Sequence, residues 1–460
     1  MRGGVIISSV ALLSMAMVAA SLLWLVEAPF KWEAIAAASF IIALCSFFFN
    51  LSGAVYLSEG GKLKTNISKI KKKKPGKVAI AVPVHKPDVP VLRESIRSLK
   101  KIEYPGQKEI VLLDDTQDKV HAKKIAAMAI EEKVVLIHRE TREGGKGGAL
   151  NEYLKITDAE YMAVFDGDEV VTDKAFLTET MGHFEKKDVA FVQTNKHTGG
   201  KGIFEQAANY TNAAFVNLIQ PINTKKGVGL FTGSCGVFRV ESLKSVGGFP
   251  DSIIEDVAVS LKLKWKGWKG EHVAKVYATG APVKKFNRFA EQHMRYISGI
   301  TALLPEYAKN IWKYPIEQKG IMLVHALGLN YVSIVQIGAC LIALVSAWWG
   351  IWLGEIASLA YLVATLASLL ILSKVYVGSL RVGFVAYILN FSVVIPRLLA
   401  VIASILGVKR CGEKTLLFAA ILQLISGLFF LWVSITKGSI AMAWWGILFM
   451  SNPLLLMLKR

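Results

Sequence analysis

Tyr161-Met162-Ala163-Val164-Phe165-Asp166-Gly167-Asp168 sets the architecture of this chain: five apolar, β-prone residues run directly into two carboxylates separated by a glycine. A short continuous apolar run bounded by a turn signal reads as a strand buried on both faces. The pattern recurs upstream, where Glu109-Ile110-Val111-Leu112-Leu113 leads into Asp114-Asp115. Residues 78–84 and 134–138 form two more β-rich runs, and 89–99, 118–132 and 148–155 between them have helical character. Buried strands alternating with helices argue for a mostly parallel sheet covered on both faces. In such sheets ligands gather at the carboxyl ends of the strands. One Asp after a strand is ordinarily a turn former or helix cap; two acidic pairs at successive strand ends point to a ligand.

Carboxylates alternating around a glycine turn toward one hard cation, and Mg2+ or Mn2+ takes oxygen ligands from carboxylates together with substrate phosphates. Asp166 and Asp168 are the candidate metal ligands. A bare D-x-D is a weak signal, and its weight comes from an ordered series. Asp114-Asp115 and Asp166-Gly167-Asp168 are followed by Glu255-Asp256 and by Gln292-His293-Met294-Arg295-Tyr296.

The composition places this series beside a membrane. Of 460 residues, 53% are hydrophobic, with mean hydropathy +0.43, and the apolar residues concentrate at 5–57 and 320–458. A span needs about 20 apolar residues, which 5–26 and 34–57 each supply. Arg2 and Val18-Ala19-Ala20 resemble parts of a signal peptide, but the apolar run continues through Leu22-Leu23-Trp24-Leu25, so a two-helix hairpin fits better. Lys62, Lys64, Lys69, Lys71 to Lys74 and Lys77 follow with no acid among them. A basic run beside a span marks the cytoplasmic side and an attraction to anionic headgroups, about 1 kcal/mol per Lys. Nucleic acid is the competing partner for this run and for the net charge of +19; the juxtamembrane position and missing aromatic interleaving speak against it. Cys45, Cys235, Cys340 and Cys411 contain no C-x-x-C pair, which gives no zinc site and no disulfide framework.

Five apolar segments follow, near 320–346, 352–373, 382–407, 414–435 and 439–457. Counting all as spans puts Lys409, Arg410 and Lys414 outside, against the positive-inside tendency. An interfacial or re-entrant element near 376–408 keeps them cytosolic and leaves six spans, two plus four. Within the spans, His325, Asn330, Gln336 and Gln423 suit either a path for a sugar chain or hydrogen bonds between helices.

The ordered series, together with the segment from Arg142 through Lys146 to Asn151 and the segment from Phe231 to Arg239, resembles the membrane-embedded family 2 glycosyltransferases of the cellulose synthase and hyaluronan synthase type. The resemblance covers essentially the whole chain. It implies an α/β GT-A (nucleotide-diphospho-sugar transferase) cytosolic domain, 78–280, inserted between α-helical transmembrane segments. Around it lie two spans at 1–58, a basic linker at 59–77, interfacial helices carrying Q-x-x-R-Y at 281–318, and about four spans plus the re-entrant element at 319–460.

The resemblance also implies roles. Asp114 and Asp115 contact the nucleotide, Asp166 and Asp168 the diphosphate and its Mg2+ or Mn2+, and Lys146 supplies a point charge. Glu255-Asp256 provides the general base, with Asp256 taking the proton. Gln292, Arg295 and Tyr296 hold the donor, and Gly233, Ser234 and Cys235 approach the acceptor. Each has a plainer reading: a loop capping a helix for Lys146, a tight turn between strands for 233–235, acids at a helix start for Glu255-Asp256, and an interfacial amphipathic helix for 292–296. Lys146 precedes Gly147, so no Walker pattern is present. Tyr296 stands where the family commonly has Trp, which leaves processivity open.

The activity implied is inverting transfer from a nucleotide-diphosphate sugar, a UDP-sugar by resemblance, to a growing polysaccharide exported through the membrane domain. Transfer of one sugar to a lipid carrier or glycolipid is the alternative. A transporter with a regulatory nucleotide-binding domain does not explain Glu255-Asp256 or Q-x-x-R-Y. The expected setting is the plasma membrane, multi-pass, with the catalytic domain cytoplasmic and no nucleic-acid partner. Oligomeric state is not fixed by sequence.

Overall fold

The computed structural model describes residues 75–376, 378–408 and 411–457, together with 18, 19, 21, 22, 33, 36–41, 43, 44 and 67–69. The expected hairpin over 5–57 and the basic run 62–74 lie largely outside these residues, as do Cys45, Lys409, Arg410 and the side chain of Asn330.

Eight strands form one sheet: β1 (Val78–Val84), β2 (Lys108–Asp114), β3 (Val135–His138), β4 (Tyr161–Val164), β5 (Val170–Val171), β6 (Val189–Thr198), β7 (Gly236–Arg239) and β8 (Lys269–Gly280). Their order is β3-β2-β1-β4-β7-β6-β8-β5. β3, β2, β1 and β4 are mutually parallel, whereas β7 runs antiparallel to both β4 and β6. The sheet is therefore mixed, where the strand and helix alternation predicts a mostly parallel one. The cause is connectivity. A parallel neighbour needs a crossover that returns the chain to the opposite end of the sheet. After β6 the chain instead re-enters at Gly236, opposite Val164 at the carboxyl end of β4.

Both faces are covered. Leu92, Ile96 and Leu99 of α1 (Val89–Lys100) pack with Ile125 and Met128 of α2 (Lys119–Glu131) on one face. Leu150, Tyr153 and Leu154 of α3 (Gly145–Ile156) pack on the other. Asp88 and Asp118 cap the first two helices, their carboxylates accepting from Val91 N and His121 N, which satisfies amides that a helix start leaves free. Val84, Asp114 and His138 stand in register, so the carboxyl ends of β1, β2 and β3 form one rim.

The remaining helices used below are α4 (Ile203–Ala214), α5 (Glu255–Trp265), α6 (Phe286–Asn310), α7 (Ile316–Trp349), α8 (Trp352–Tyr376), α9 (Leu380–Ser392), α10 (Val394–Ile405), α11 (Glu413–Lys437) and α12 (Ile440–Met457). Among the described residues four stretches are long and apolar enough to cross a membrane: 332–349, 352–371, 413–437 and 440–457. Exposed Trp348, Trp349 and Trp352 cluster where α7 passes into α8, the placement aromatic residues take at a membrane interface. α9 and α10 meet at a 42° bend, a broken span or a re-entrant loop. Pro396 explains the break, because its ring opposes the carbonyl four residues earlier, at Ser392, where α9 ends. Buried Gln423 accepts from Asn452 Nδ2 and donates to Phe391 O, so it joins helices to one another.

Candidate donor and catalytic site

The carboxyl rim carries two connected clusters. In the first, Asp114 is fully buried, with Oδ2 2.8 Å from His138 Nδ1 on β3 and Oδ1 accepting from Thr116 N. Asp115 holds Arg139 in a bidentate pair, Nε to Oδ1 at 2.6 Å and Nη2 to Oδ2 at 2.5 Å. The same guanidinium donates to Gly145 O and Glu143 O. It therefore ties the end of β2 to the glycine-rich loop that opens α3. Sequence reading missed Arg139, since nothing local marks a partner whose acid lies on another strand. Replacing Arg139 with Lys removes the fork that matches a carboxylate. Charged hydrogen bonds of this kind contribute about 1.5–3 kcal/mol each, so thermal denaturation should show a lower melting temperature and the donor KM should rise with kcat less affected.

The second cluster centres on Asp166, just beyond β4. Lys146 Nζ donates to its Oδ1 at 2.5 Å and to Gly233 O at 2.8 Å, and Lys196 Nζ on β6 lies 3.5 Å from its Oδ2. Burial works against the Asp166 carboxylate, but the two ammonium groups hold it well below the ordinary range. Burial likewise opposes the Lys146 ammonium, and Asp166 and Glu255 outweigh it to keep the pKa raised. Gly167 has no room for a side chain: a Cβ there would lie 2.6 Å from Val84 Cγ1. The absence of a side chain there lets the D-G-D turn pack closely against the end of β1.

Asp168, although at the surface, is partly desolvated, and this together with the charge of Asp166 raises its carboxyl. A divalent cation between two carboxylates relieves such repulsion, and both side chains offer the hard oxygen donors Mg2+ or Mn2+ prefers. Asp166 and Asp168 fit a metal on this ground. Among the described residues no group of three His, Cys, Asp or Glu side chains forms a complete cage. A metal held here would need oxygens from the substrate.

Glu255 and Asp256 open α5, and their position in its first turn complements the helix dipole. Asp256 Oδ1 accepts from Val257 N at 2.9 Å. Burial raises both carboxyls, and the charge of Asp256 adds to the effect on Glu255, while Lys146 and Arg295 pull the other way. Gly233 sits between the acids and Lys146. A Cβ built on it would lie 3.2 Å from Asp256 Oδ2 and 4.0 Å from Lys146 Nζ. Its φ of +92° also excludes ordinary side chains. Gly233→Ala is expected to displace the 232–235 loop and cut kcat sharply while nucleotide affinity, read by calorimetry, changes little.

The structure brings Asp166, Lys146, Gly233 and Asp256 to one place, with Arg295 and Tyr296 of α6 close enough to act on Asp256. Burial, then Asp256, pushes the Tyr296 hydroxyl pKa up. Gln292 is exposed one turn earlier on α6. Two acceptor candidates face inward. Ser234 Oγ donates to Glu169 Oε1 at 2.6 Å, and Cys235 is fully buried with its thiol beside Thr194 Oγ1. Of this segment, Gly233 lies beside Asp256, whereas Ser234 turns to Glu169 and Asp166. The cause is geometric, since Cys235 lies just ahead of β7, where the chain enters the sheet. Burial, reinforced by Glu169, raises the thiol pKa, the opposite of what a nucleophile requires.

A mixed sheet with an acidic carboxyl rim, a basic glycine-rich loop and a D-G-D turn defines the GT-A class of nucleotide-diphospho-sugar transferase domains. Residues 79–247 match the family model described as glycosyl transferase family 2, and the chain carries a domain of that family. Cellulose synthase 2 of Novacetimonas hansenii is 26% identical over 236 residues, 49% of this chain and 14% of that protein. The cellulose synthase catalytic subunit (UDP-forming) of Pseudomonas fluorescens is 28% identical over 235 residues, 49% of this chain and 31% of that protein. The chain thus spans less than a third of the length of either relative. A mannosyltransferase of Pyrobaculum calidifontis, solved in complex with GDP-Man and Mn2+, superposes with a TM-score of 0.52 at 15% identity, covering 86% of this chain and 99% of that one. At that identity the likeness is one of fold.

Proposed function

We propose that this protein is an inverting glycosyltransferase that draws a sugar from a nucleotide-diphosphate donor and adds it to a growing polysaccharide at a membrane. One observation carries the reading: Lys146 links the D-G-D carboxylate to Gly233, and Gly233 in turn abuts Asp256. This chain of neighbours supports a diphosphate site and a base that face each other across Gly233. The cellulose synthase relatives favour a UDP-sugar and a polymeric product. Four helices long and apolar enough to span a bilayer support a multi-pass protein, and the basic run before β1 supports a cytoplasmic catalytic domain.

In this mechanism Asp256 accepts the proton of the acceptor hydroxyl, whose oxygen attacks the anomeric carbon as the bond to the diphosphate breaks. The configuration inverts in that single displacement. Lys146 and Arg295 face the charge that develops on the leaving nucleoside diphosphate. Asp166 and Asp168 would hold a Mg2+ or Mn2+ ion, which supplies Lewis-acid neutralisation of the diphosphate. Tyr296 presents an aromatic face for sugar stacking, and Asp114 and Asp115, braced by His138 and Arg139, shape the nucleotide end. A general base contributes about 10² to 10⁴ in rate, and preorganised charge at the leaving group usually more.

The pH dependence follows from the base. Asp256 must be ionised to work, and burial raises its carboxyl. Activity is therefore lost as pH falls through a value above that of an ordinary aspartate, and a kcat/KM profile locates this limb. The decisive experiment gives the detergent-purified protein UDP- and GDP-sugars with Mg2+ or Mn2+ and sizes the product. A polymer is expected. A single-sugar adduct on lipid would replace polymer synthesis, and no transfer from any nucleotide sugar would overturn the reading.

A further inference from the structure

Lys196 belongs to none of the roles above, yet its ammonium occupies the centre of the acidic site. It donates to Glu169 Oε1 at 2.8 Å and to Ser234 Oγ at 2.5 Å, and it lies 3.5 Å from Asp166 Oδ2. Glu169 is 1% exposed, and its other oxygen accepts from Asp166 N at 3.0 Å. Lys146 meanwhile takes Asp166 Oδ1. Each oxygen of the candidate metal ligand therefore faces its own ammonium group. Ser234, which adjoins Gly233 at the base, is held by the same pair of residues that brackets the diphosphate side.

We propose that Lys196 is a positioning residue that makes metal and donor bind together. Its ammonium, standing against Asp166 and locked there by buried Glu169, repels a free divalent cation. A cation that arrives with the diphosphate brings its own negative charge, and the repulsion is offset. Lys196 also fixes Ser234, so the loop beside Asp256 stays in register with the occupied donor site. The inference rests on the sugar-transfer reading for the identity of the diphosphate; the positions of the charges come from the structure itself.

The test titrates Mn2+ into the full-length protein in detergent, with and without UDP or GDP, following free Mn2+ by electron paramagnetic resonance. Wild type is expected to bind Mn2+ weakly alone and far more tightly with nucleotide. Removing one like charge at this range is expected to tighten nucleotide-free Mn2+ binding in Lys196→Met by about tenfold or more, shrinking the gain from nucleotide, while kcat falls. A structural defect would weaken both instead. Lys196→Arg, which keeps the charge, is expected to retain the wild-type gain. The double variant Lys196→Met with Glu169→Gln removes the buried pair as a unit, avoiding an orphaned buried charge. It should bind free Mn2+ more tightly than Glu169→Gln alone.

If nucleotide-free Mn2+ binding is the same in Lys196→Met and in the double variant as in their Lys196 parents, the assignment to Lys196 is wrong and the transfer reading stands. Failure of wild type to bind Mn2+ with either nucleotide would remove the donor site and this inference together.

Discussion

Asp256→Asn is expected to lower sugar transfer by about 10²- to 10⁴-fold, the usual worth of a general base, while leaving nucleotide binding close to wild type. Asparagine has the same shape, and its side-chain oxygen still accepts the amide of Val257, which lies 2.9 Å from Asp256 Oδ1. The start of α5 is therefore preserved, and the missing function is proton acceptance. Lys146 and Arg295 each lower the Asp256 pKa in the native site, so an uncharged residue there leaves those cations free for the donor. Steady-state kinetics with nucleotide titration separates the two effects. Near-normal turnover by the variant would transfer the role of base to another group, with Glu255 the adjacent candidate. The acid limb of the pH profile should disappear with it.

Asp166→Asn should fail in the opposite way, losing donor and metal binding first. The substitution keeps volume but deletes the charge that both Lys146 and Lys196 face, leaving two ammonium groups at the site and, of the D-G-D pair, only Asp168 to attract a divalent cation. Charge-stabilising contacts aimed at the reacting group are worth on the order of 10² to 10³ in kcat, and loss of nucleotide affinity compounds this. Isothermal titration with nucleoside diphosphate and Mn2+ reads the binding loss directly. Tight Mn2+-dependent nucleotide binding by Asp166→Asn would show that D-G-D is a turn and nothing more. The two variants together distinguish a base defect from a donor-site defect.

Much of this arrangement is legible in the sequence. β1, β2, β3 and β4 lie where their apolar runs place them; β1 and β4 are buried almost throughout, and a strand buried on both faces has few polar positions to obscure it, whereas β3 is the half-exposed edge strand. The acids at their ends were legible for the same reason. Lys146, Asp166 and Asp256 were identifiable because each sits in a short motif with its own neighbours.

The partners of these residues were not legible. Arg139 braces Asp115 across a gap of 24 residues, Lys196 reaches Asp166 across 30, and Lys146 reaches Gly233 across 87. Glu169 gave one unused signal, a third acid directly after D-G-D, but its burial against Lys196 and Ser234 is a tertiary fact.

The sequence by itself determined the kind of domain, an α/β unit with acids on strand ends beside apolar helices. Apolar periodicity and strand-end chemistry are local properties, written in consecutive residues. Tertiary structure decided that the sheet is mixed, that Ser234 turns to Glu169 and Cys235 into the core while Gly233 lies beside Asp256, and that Asp166 lies between two lysines. Those outcomes depend on how the chain re-enters the sheet at Gly236 and on charges from separate strands meeting at one rim. Coulomb attraction and steric exclusion act across space, and no window of sequence contains them.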